Sequence, residues 1–568
     1  MEIAQLNTSS GIPKRDPAEV MRLARLGAFH QSRLSFMRVL TRRMTREKWT
    51  FTRPVFEIDA VGVGHAVYCA HTPDRTYSLI AFAHDLPAEN RSDRVIAEAW
   101  DSTFTLFDGV PTDDDIARLG QNVPLQEAGR VTQSELSVSR ANRSVRLWDH
   151  VVSSLASGQQ PDVDEVKNVG YLMRTTAVYG SGKLGAADRE MIAMRPECTA
   201  PFQIEMLSVF LTRTYVRDLA QHMANLRGGE NAVTLDPDIA RDMGIGNSTG
   251  LGMAPFLVNH PVLLNNWISA REEAIARVRD LPLASAAEVE IFRNLFARSV
   301  ISAEAWHSVH PIQVEKLVVL RADLQKLTSH IESADLSKDN PWDRLFLWAD
   351  AHLGLDAVEC LASLMLEPYG DLVDSLADRM SHNDTASFRI DGTMSVAALQ
   401  AILTQTYAWA LSIDWSDKDA CARAWYVSEE KLEPRLGERF EEPIAAYEQP
   451  LAPGRDAAAL YHALRDWEPD TSLAAFLLAH PEHRHTIRRA QIVERAPFAE
   501  IRDNTIGSDL LPIDMLRCKL AFFGATHFDP RSDRWLRICL FGNAPYPEEL
   551  QTSADDFWPY PRLEQGGT

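Results

Sequence analysis

Between Trp49 and Phe107 lie four short runs rich in aromatic and β-branched residues: Trp49–Ile58, His65–His71, Tyr77–His84 and Ser102–Phe107. Val61-Gly62-Val63-Gly64, Thr72-Pro73-Asp74 and, after the fourth run, Asp108-Gly109 supply the turns. A parallel crossover needs about a dozen residues or more, which the first two connections lack. This stretch is therefore restricted to an antiparallel meander, and Arg91–Trp100 between the last two runs reads as a helix.

From Thr112 the periodicity changes to that of helices. Thr112 with Asp115, Ser285 with Glu288, Asn340 before Pro341, and Ser395 have the chemistry of helix starts. Helices are expected over Gln133–Ser157, Pro201–Leu226, Pro261–Arg279, Ala286–Phe296, Pro311–Ile331, Pro341–Leu366 and Ser395–Ile413, with Gly228-Gly229 as a stop. A short strand is expected over Trp535–Phe541. The expected fold is mainly α, with a small antiparallel β-meander near the N-terminus, in several helical lobes. Its expected divisions are a basic helical arm at 1–52, the β section at 53–111, a helical core at 112–335, and a second helical lobe with a mixed tail at 336–568.

The arm follows from local charge. Asp16, Pro17 and Glu19 open a helix, and apolar residues recur from Val20 to Met44. Residues 1–53 carry 11 basic and 4 acidic side chains, a net of +7, in a chain whose total is -21. Such an arm suits the chain's own acidic body, or a second copy in a homo-oligomer, better than a membrane face, because its apolar stripe wants a protein surface. The overall negative charge argues against nucleic acid. No apolar run approaches the ~20 residues of a membrane span, and the N-terminus lacks a signal-peptide core. The six cysteines are scattered without C-x-x-C spacing, as buried thiols in a reducing compartment would be, so a soluble cytoplasmic protein is expected.

Two glycine-rich stretches carry the functional expectation. Tyr179-Gly180-Ser181-Gly182-Lys183-Leu184-Gly185 contains G-x-G-x-x-G after the extended-looking YLMRTTAV, and Met243–Pro261 reads MGIGNSTGLGMAPFLVNHP. Glycines of this kind bring backbone N–H groups close to a phosphate. A dinucleotide-binding domain also needs surrounding parallel strands, which the pattern does not predict; Lys183 is followed by Leu, so the first stretch is not a Walker A loop. Arg174, Gly180, Ser181, Gly182 and Lys183 on one loop, and Gly246, Asn247, Ser248, Thr249, Gly250 and Asn259 around the other, make an inventory for a carboxylate or phosphate. His260, whose ordinary pKa suits work near neutrality, and Tyr179 are the candidates for proton transfer. The expected function is an enzyme acting on a small anionic metabolite or using a phosphorylated cofactor.

Other readings make different demands. Gly246-Asn-Ser248-Thr-Gly250 spells G-x-S-x-G, so Ser248 is a candidate hydrolase nucleophile if it occupies a strand-to-helix turn. A non-catalytic assembly protein would use the basic arm and acidic body. Glu304-x-x-His307 and Glu482-x-x-His485 have helix-face metal spacing, but one or two such matches are expected by chance among 17 histidines and abundant glutamate, and no metal is assigned. Arg213 and Arg217 share a face of an apolar helix and call for carboxylates, internal ones such as Glu205 and Asp218 or those of a ligand. The charged run Trp425–Pro443 reads as a solvated face.

Overall fold

The computed structural model describes residues 11–28, 31–87, 100–121, 123, 132–175, 192, 194–249, 260–380, 388–416, 425–427, 434–436, 448–449, 452–502, 510–530, 536–552 and 556–561. The chain forms two compact units, each built from separated segments. One comprises Met1–Leu34, Ala254–Glu304 and Val314–Cys518; the other comprises Ser35–Met253, Ala305–Gln313 and Lys519–Thr568. No helix among the described residues is long and apolar enough to cross a membrane.

The second unit is organised by a nine-stranded sheet. Strands β1 (Thr50–Ile58), β2 (Gly64–His71), β3 (Thr76–Ala83) and β4 (Ser102–Asp108) form the expected antiparallel meander. The sheet then continues through β5 (Glu135–Arg143) and β6 (Tyr171–Thr175), both antiparallel, to β7 (Gly244–Thr249), which runs parallel to β6. In the other unit, β8 (Trp425–Val427), β9 (Pro434–Leu436) and β10 (Glu448–Gln449) form a separate antiparallel trio. Strands β11 (Asp529–Pro530) and β12 (Leu536–Leu540) complete the large sheet, with β12 beside β7, so the expected C-terminal strand is an integral member. The helix Gln203–Gly228 crosses strands β2 to β7. Its Tyr215 lies beside Ser102 and packs edge-on against Phe104, and Tyr68 donates to Asp218.

This sheet corrects the expectation of a mainly helical protein with a small N-terminal meander. Its nine strands in a mixed arrangement come from both ends of the chain. The expected helix Gln133–Ser157 is instead β5 followed by the shorter helix Trp148–Ala156. Every residue of β5, ELSVSRANR, is buried, although more than half are polar. Such a strand lacks the alternation of apolar and polar residues that marks a half-exposed strand. Two bonds tie it to the start of β4: Asn142 accepts from the Asp101 N–H, and Asp101 accepts from the Arg143 N–H, both at 2.9 Å. The glycine-rich stretch at 244–249, expected as a loop, is β7.

The first unit is helical. Pro261–Arg279 and Pro311–Ser333 follow the expected spans closely, the helix expected over Ala286–Phe296 continues to Ala305, and the expected helix Pro341–Leu366 is broken into Pro341–His352 and Leu355–Leu364. The basic arm is also broken. Asp16 caps a single turn, Pro17–Val20; Leu23–Leu26 is a second turn, and Phe36–Arg46 belongs to the sheet-containing unit. Several of the arm's arginines are turned inward. Arg15 reaches Glu272 at 2.7 Å and Glu359 at 2.5 Å, Arg25 reaches Glu359 at 2.6 Å, and Arg271 bonds the same carboxylate. Arg33 grips Asp374 through two bonds of 2.8 Å. These contacts match the reading in which the arm clasps the chain's own acidic groups. Five cysteines, Cys69, Cys198, Cys360, Cys518 and Cys539, are buried thiols; Cys421 lies outside the described residues.

Three arginines hold Glu359 far below the usual carboxylate range despite its burial. Because the folded value is depressed, this contribution to stability is complete above the unfolded pKa near 4 and disappears as pH falls through the lower folded value. Glu359→Gln leaves the arginines without their shared anion, and a loss of about 3–5 kcal/mol is expected. Urea unfolding followed by far-UV circular dichroism should show it. Lys338→Ala, which breaks an exposed pair with Asp335 at 3.6 Å, should change stability by less than about 0.5 kcal/mol.

Candidate functional site

The ends of β6 and β7 have an arrangement that the rest of the large sheet lacks among its described pairings: two adjacent parallel strands finish side by side. In open sheets this is where ligands meet strand ends. The pairing sets Tyr171 against Gly244 and Arg174 against Gly246, so β6 spends three residues where β7 spends two. A bulge of this kind changes the direction in which the following side chains point.

The glycines make this close pairing feasible. A Cβ at Gly246 would lie 2.6 Å from a ring carbon of Tyr171, and one at Gly244 would fall on the Leu540 carbonyl and 2.5 Å from the Cys539 sulfur. Real side chains do not approach so closely, so both positions are closed to larger residues by packing. For Gly244 and Gly246, close backbone packing accounts for the residue type.

Beside Gly246, Asn247 is buried between two partners. Its amide nitrogen donates to the Thr175 carbonyl at 2.9 Å, and its oxygen accepts from the Lys519 amine at 2.8 Å. Lys519 opens the π-helical turn Lys519–Phe523, a form of backbone that recurs at functional sites. Phe523 of that turn packs against Phe36 at 5.2 Å and Phe202 at 5.0 Å. Phe202 has a left-handed backbone, with φ of 59°, a costly conformation for a bulky side chain. Burial drives the Lys519 ammonium down to about 7. Asn247 is neutral, so the described bond satisfies a proton without supplying an opposing charge.

Further polar groups collect at this end of the sheet. Arg174 is buried and stands opposite Asn142 in the β5–β6 register. Asn142 and Asp101 form the backbone clamp described above, and the Arg140 guanidinium lies 4.1 Å from the Trp100 ring centroid. His84 contacts Thr103 at 3.3 Å, and its pKa is lowered by burial, with Asp101 acting against that shift.

The expected site residues divide accordingly. Arg174, Gly246 and Asn247 come together on the adjoining strands. Ser248 lies within β7 opposite Arg537 of β12, and Thr249 lies opposite Leu536. Ser248 is therefore inside a strand rather than at a strand-to-helix turn. His260 opens the helix Pro261–Arg279 and belongs to the other compact unit. Asn265, one turn on, accepts from the Phe498 N–H at 3.0 Å. Tyr179, Gly180, Ser181, Gly182, Lys183, Gly250 and Asn259 lie outside the described residues, as does most of Trp425–Pro443.

The arginine pair on the long helix has internal partners. Arg213 donates to the carbonyls of Met243, Ala544 and Arg241 at 2.7, 2.9 and 3.1 Å and lies 3.9 Å from the Tyr546 ring centroid. Arg217 pairs with Asp218 and Glu548. Lys519 was the residue missed in the sequence. Its signal was a single cation inside the apolar run LAFF and its neighbours, which by itself also describes a lysine at a helix edge.

Two substitutions test this local account. Gly246→Ala should cost about 1–3 kcal/mol through overpacking against Tyr171, measured by chemical denaturation. Lys519 stays protonated to about 7 when folded but to its ordinary value of 10.5 when unfolded. The unfolded chain therefore binds more protons in that window, and the contribution of Lys519 to stability rises with pH from about 7 towards 10.5. Lys519→Met should raise Tm below pH 7 and lose this advantage as the pH approaches 10.

No protein-family model, curated protein or solved structure matches the chain.

Proposed function

We propose that this protein is an enzyme acting on a small carboxylate- or phosphate-bearing molecule, with the anion bound at the neighbouring ends of β6 and β7. The observation that carries the reading is the junction itself: buried Arg174 and the Asn247–Lys519 pair stand on and beside two parallel strands that end together. A guanidinium suits this task because it stays charged and presents several N–H donors in a plane. The sequence supports the same chemistry. The segment after β6 contains Ser181 and Lys183 among glycines, and the one after β7 begins at Gly250. A phosphorylated cofactor is covered by the same reading, since its phosphate would present the same oxygens.

The test is a thermal-shift panel of the full chain with inorganic phosphate, pyrophosphate, nucleotides, CoA esters and small carboxylates. A ligand at a hundred times its Kd should add about 2.7 kcal/mol of stability. A shift confined to one class and lost in both Arg174→Gln and Lys183→Ala is expected. A flat panel, or shifts that survive both substitutions, would overturn the proposal.

A further inference from the structure

We propose that the helix Pro311–Ser333 seats a second copy of this chain, the two helices pairing antiparallel about a twofold axis that passes between residues 320 and 321.

The helix buries one face. Leu317, Leu320, Leu324, Leu327 and Ile331 are all buried. On the opposite side Glu315, Val319, Ala322 and Lys326 are exposed. Their spacing of i, i+4, i+7 and i+11 places them in one stripe along the helix. Val319 is 50% exposed and the adjoining Val318 57%. The charged residues between the two ends of the stripe are turned to partners in their own unit. Lys316 reaches Asp514 at 2.9 Å, Arg321 donates to the Ala303 and Glu304 carbonyls at 3.1 Å, and buried Asp323 accepts from the Gly354 N–H at 2.7 Å. The middle of the stripe is therefore apolar and open to a protein surface.

A second helix widens this surface. Asp323 meets Gly354 and His330 stacks on Trp348 with ring centroids 3.7 Å apart, so Pro341–His352 runs antiparallel beside Pro311–Ser333. Leu347 on it is 53% exposed, and Leu355, next to Gly354, is 39% exposed. A helix of 23 residues is about 35 Å long, and two packed helices are about 20 Å wide. That area is close to the roughly 800 Å² that each partner contributes to a standard interface.

The order of charges selects the occupant. In an isologous contact the same stripe meets itself running the other way. An axis between residues 320 and 321 sets Glu315 opposite the second copy's Lys326, and Val319 opposite its Ala322. The stripe reads Glu-Val-Ala-Lys in one direction and Lys-Ala-Val-Glu in the other. Both ends then gain an ion pair, and each valine meets a small side chain. A parallel pairing would set like charges together, and an unrelated partner imposes no such order. Lys326 already reaches Asp323 at 2.7 Å, but an ammonium has three donors and can hold both carboxylates.

The experiment is analytical ultracentrifugation of the full chain at concentrations up to about 100 µM, above the micromolar Kd of a modest interface. A species with the mass of two chains is expected. Val319→Glu should weaken association at least about tenfold, with the far-UV circular dichroism spectrum unchanged because the site is exposed. Glu315→Lys and Lys326→Glu should each weaken it about tenfold by setting like charges opposite one another. An equimolar mixture of these two variants should associate as the parent does, since each cross pair is again of opposite sign. A chain that stays monomeric, a dimer indifferent to Val319→Glu, or a mixture that associates no better than its components would overturn the proposal.

Discussion

The close seating of β7 against β6 is the contact on which the sheet-containing unit depends. It joins the six-stranded antiparallel run from the N-terminal half to β12 and β11 from the C-terminal end. The seating is possible because Gly244 and Gly246 present no side chain where the Cys539 sulfur, the Leu540 carbonyl and the Tyr171 ring already stand. Arg213 reinforces it by binding three carbonyls that flank β7 in sequence or follow β12. A buried guanidinium of this kind is useful to the fold because one planar group satisfies several backbone acceptors at once.

The same contact generates the chemical asymmetry of the sheet. At the meander end, Val67, Ile80 and Phe107 belong to an apolar cluster, as expected of a sheet face that packs on a core. Around β5, β6 and β7 the buried residues include Arg140, Asn142, Arg143, Arg174 and Asn247. Burying such groups costs free energy unless they are paired, and each of them has partners within the chain, Asn142 at the Asp101 N–H and Asn247 at Thr175 and Lys519 among them. The helical unit uses buried charge differently. Its arginines converge on Glu272 and Glu359 and hold the N-terminal segment to helices Pro261–Arg279 and Leu355–Leu364.

How much was legible in the sequence follows from how each element buries its residues. Strands β1 to β4 were readable because their aromatic and β-branched runs are punctuated by turns. Helix Pro261–Arg279 was readable because a proline opens it and its apolar positions recur with helical spacing. β5 was not, since every one of its residues is buried whether polar or apolar, and the contacts that hold its polar side chains, such as Asn142 at the Asp101 N–H and Arg143 over the Trp148 ring, are tertiary ones that no local pattern encodes. β7 was hidden for the opposite reason: glycines that look like a flexible loop are there to admit neighbouring atoms. Of the expected site residues, Arg174 and Asn247 were singled out as polar residues near glycines, and the structure places them on adjoining strands. The bond from Lys519 to Asn247 could not be reached that way, because it joins residues 272 positions apart.

The most direct measurement is a crystal structure of the full chain grown with inorganic phosphate. The account predicts an ordered anion at the ends of β6 and β7, within hydrogen-bonding distance of Arg174, with Lys519 still bonded to Asn247. Density for phosphate elsewhere, with the Arg174 guanidinium bonded entirely to groups of its own chain, would contradict it and leave the strand junction as a device of packing alone.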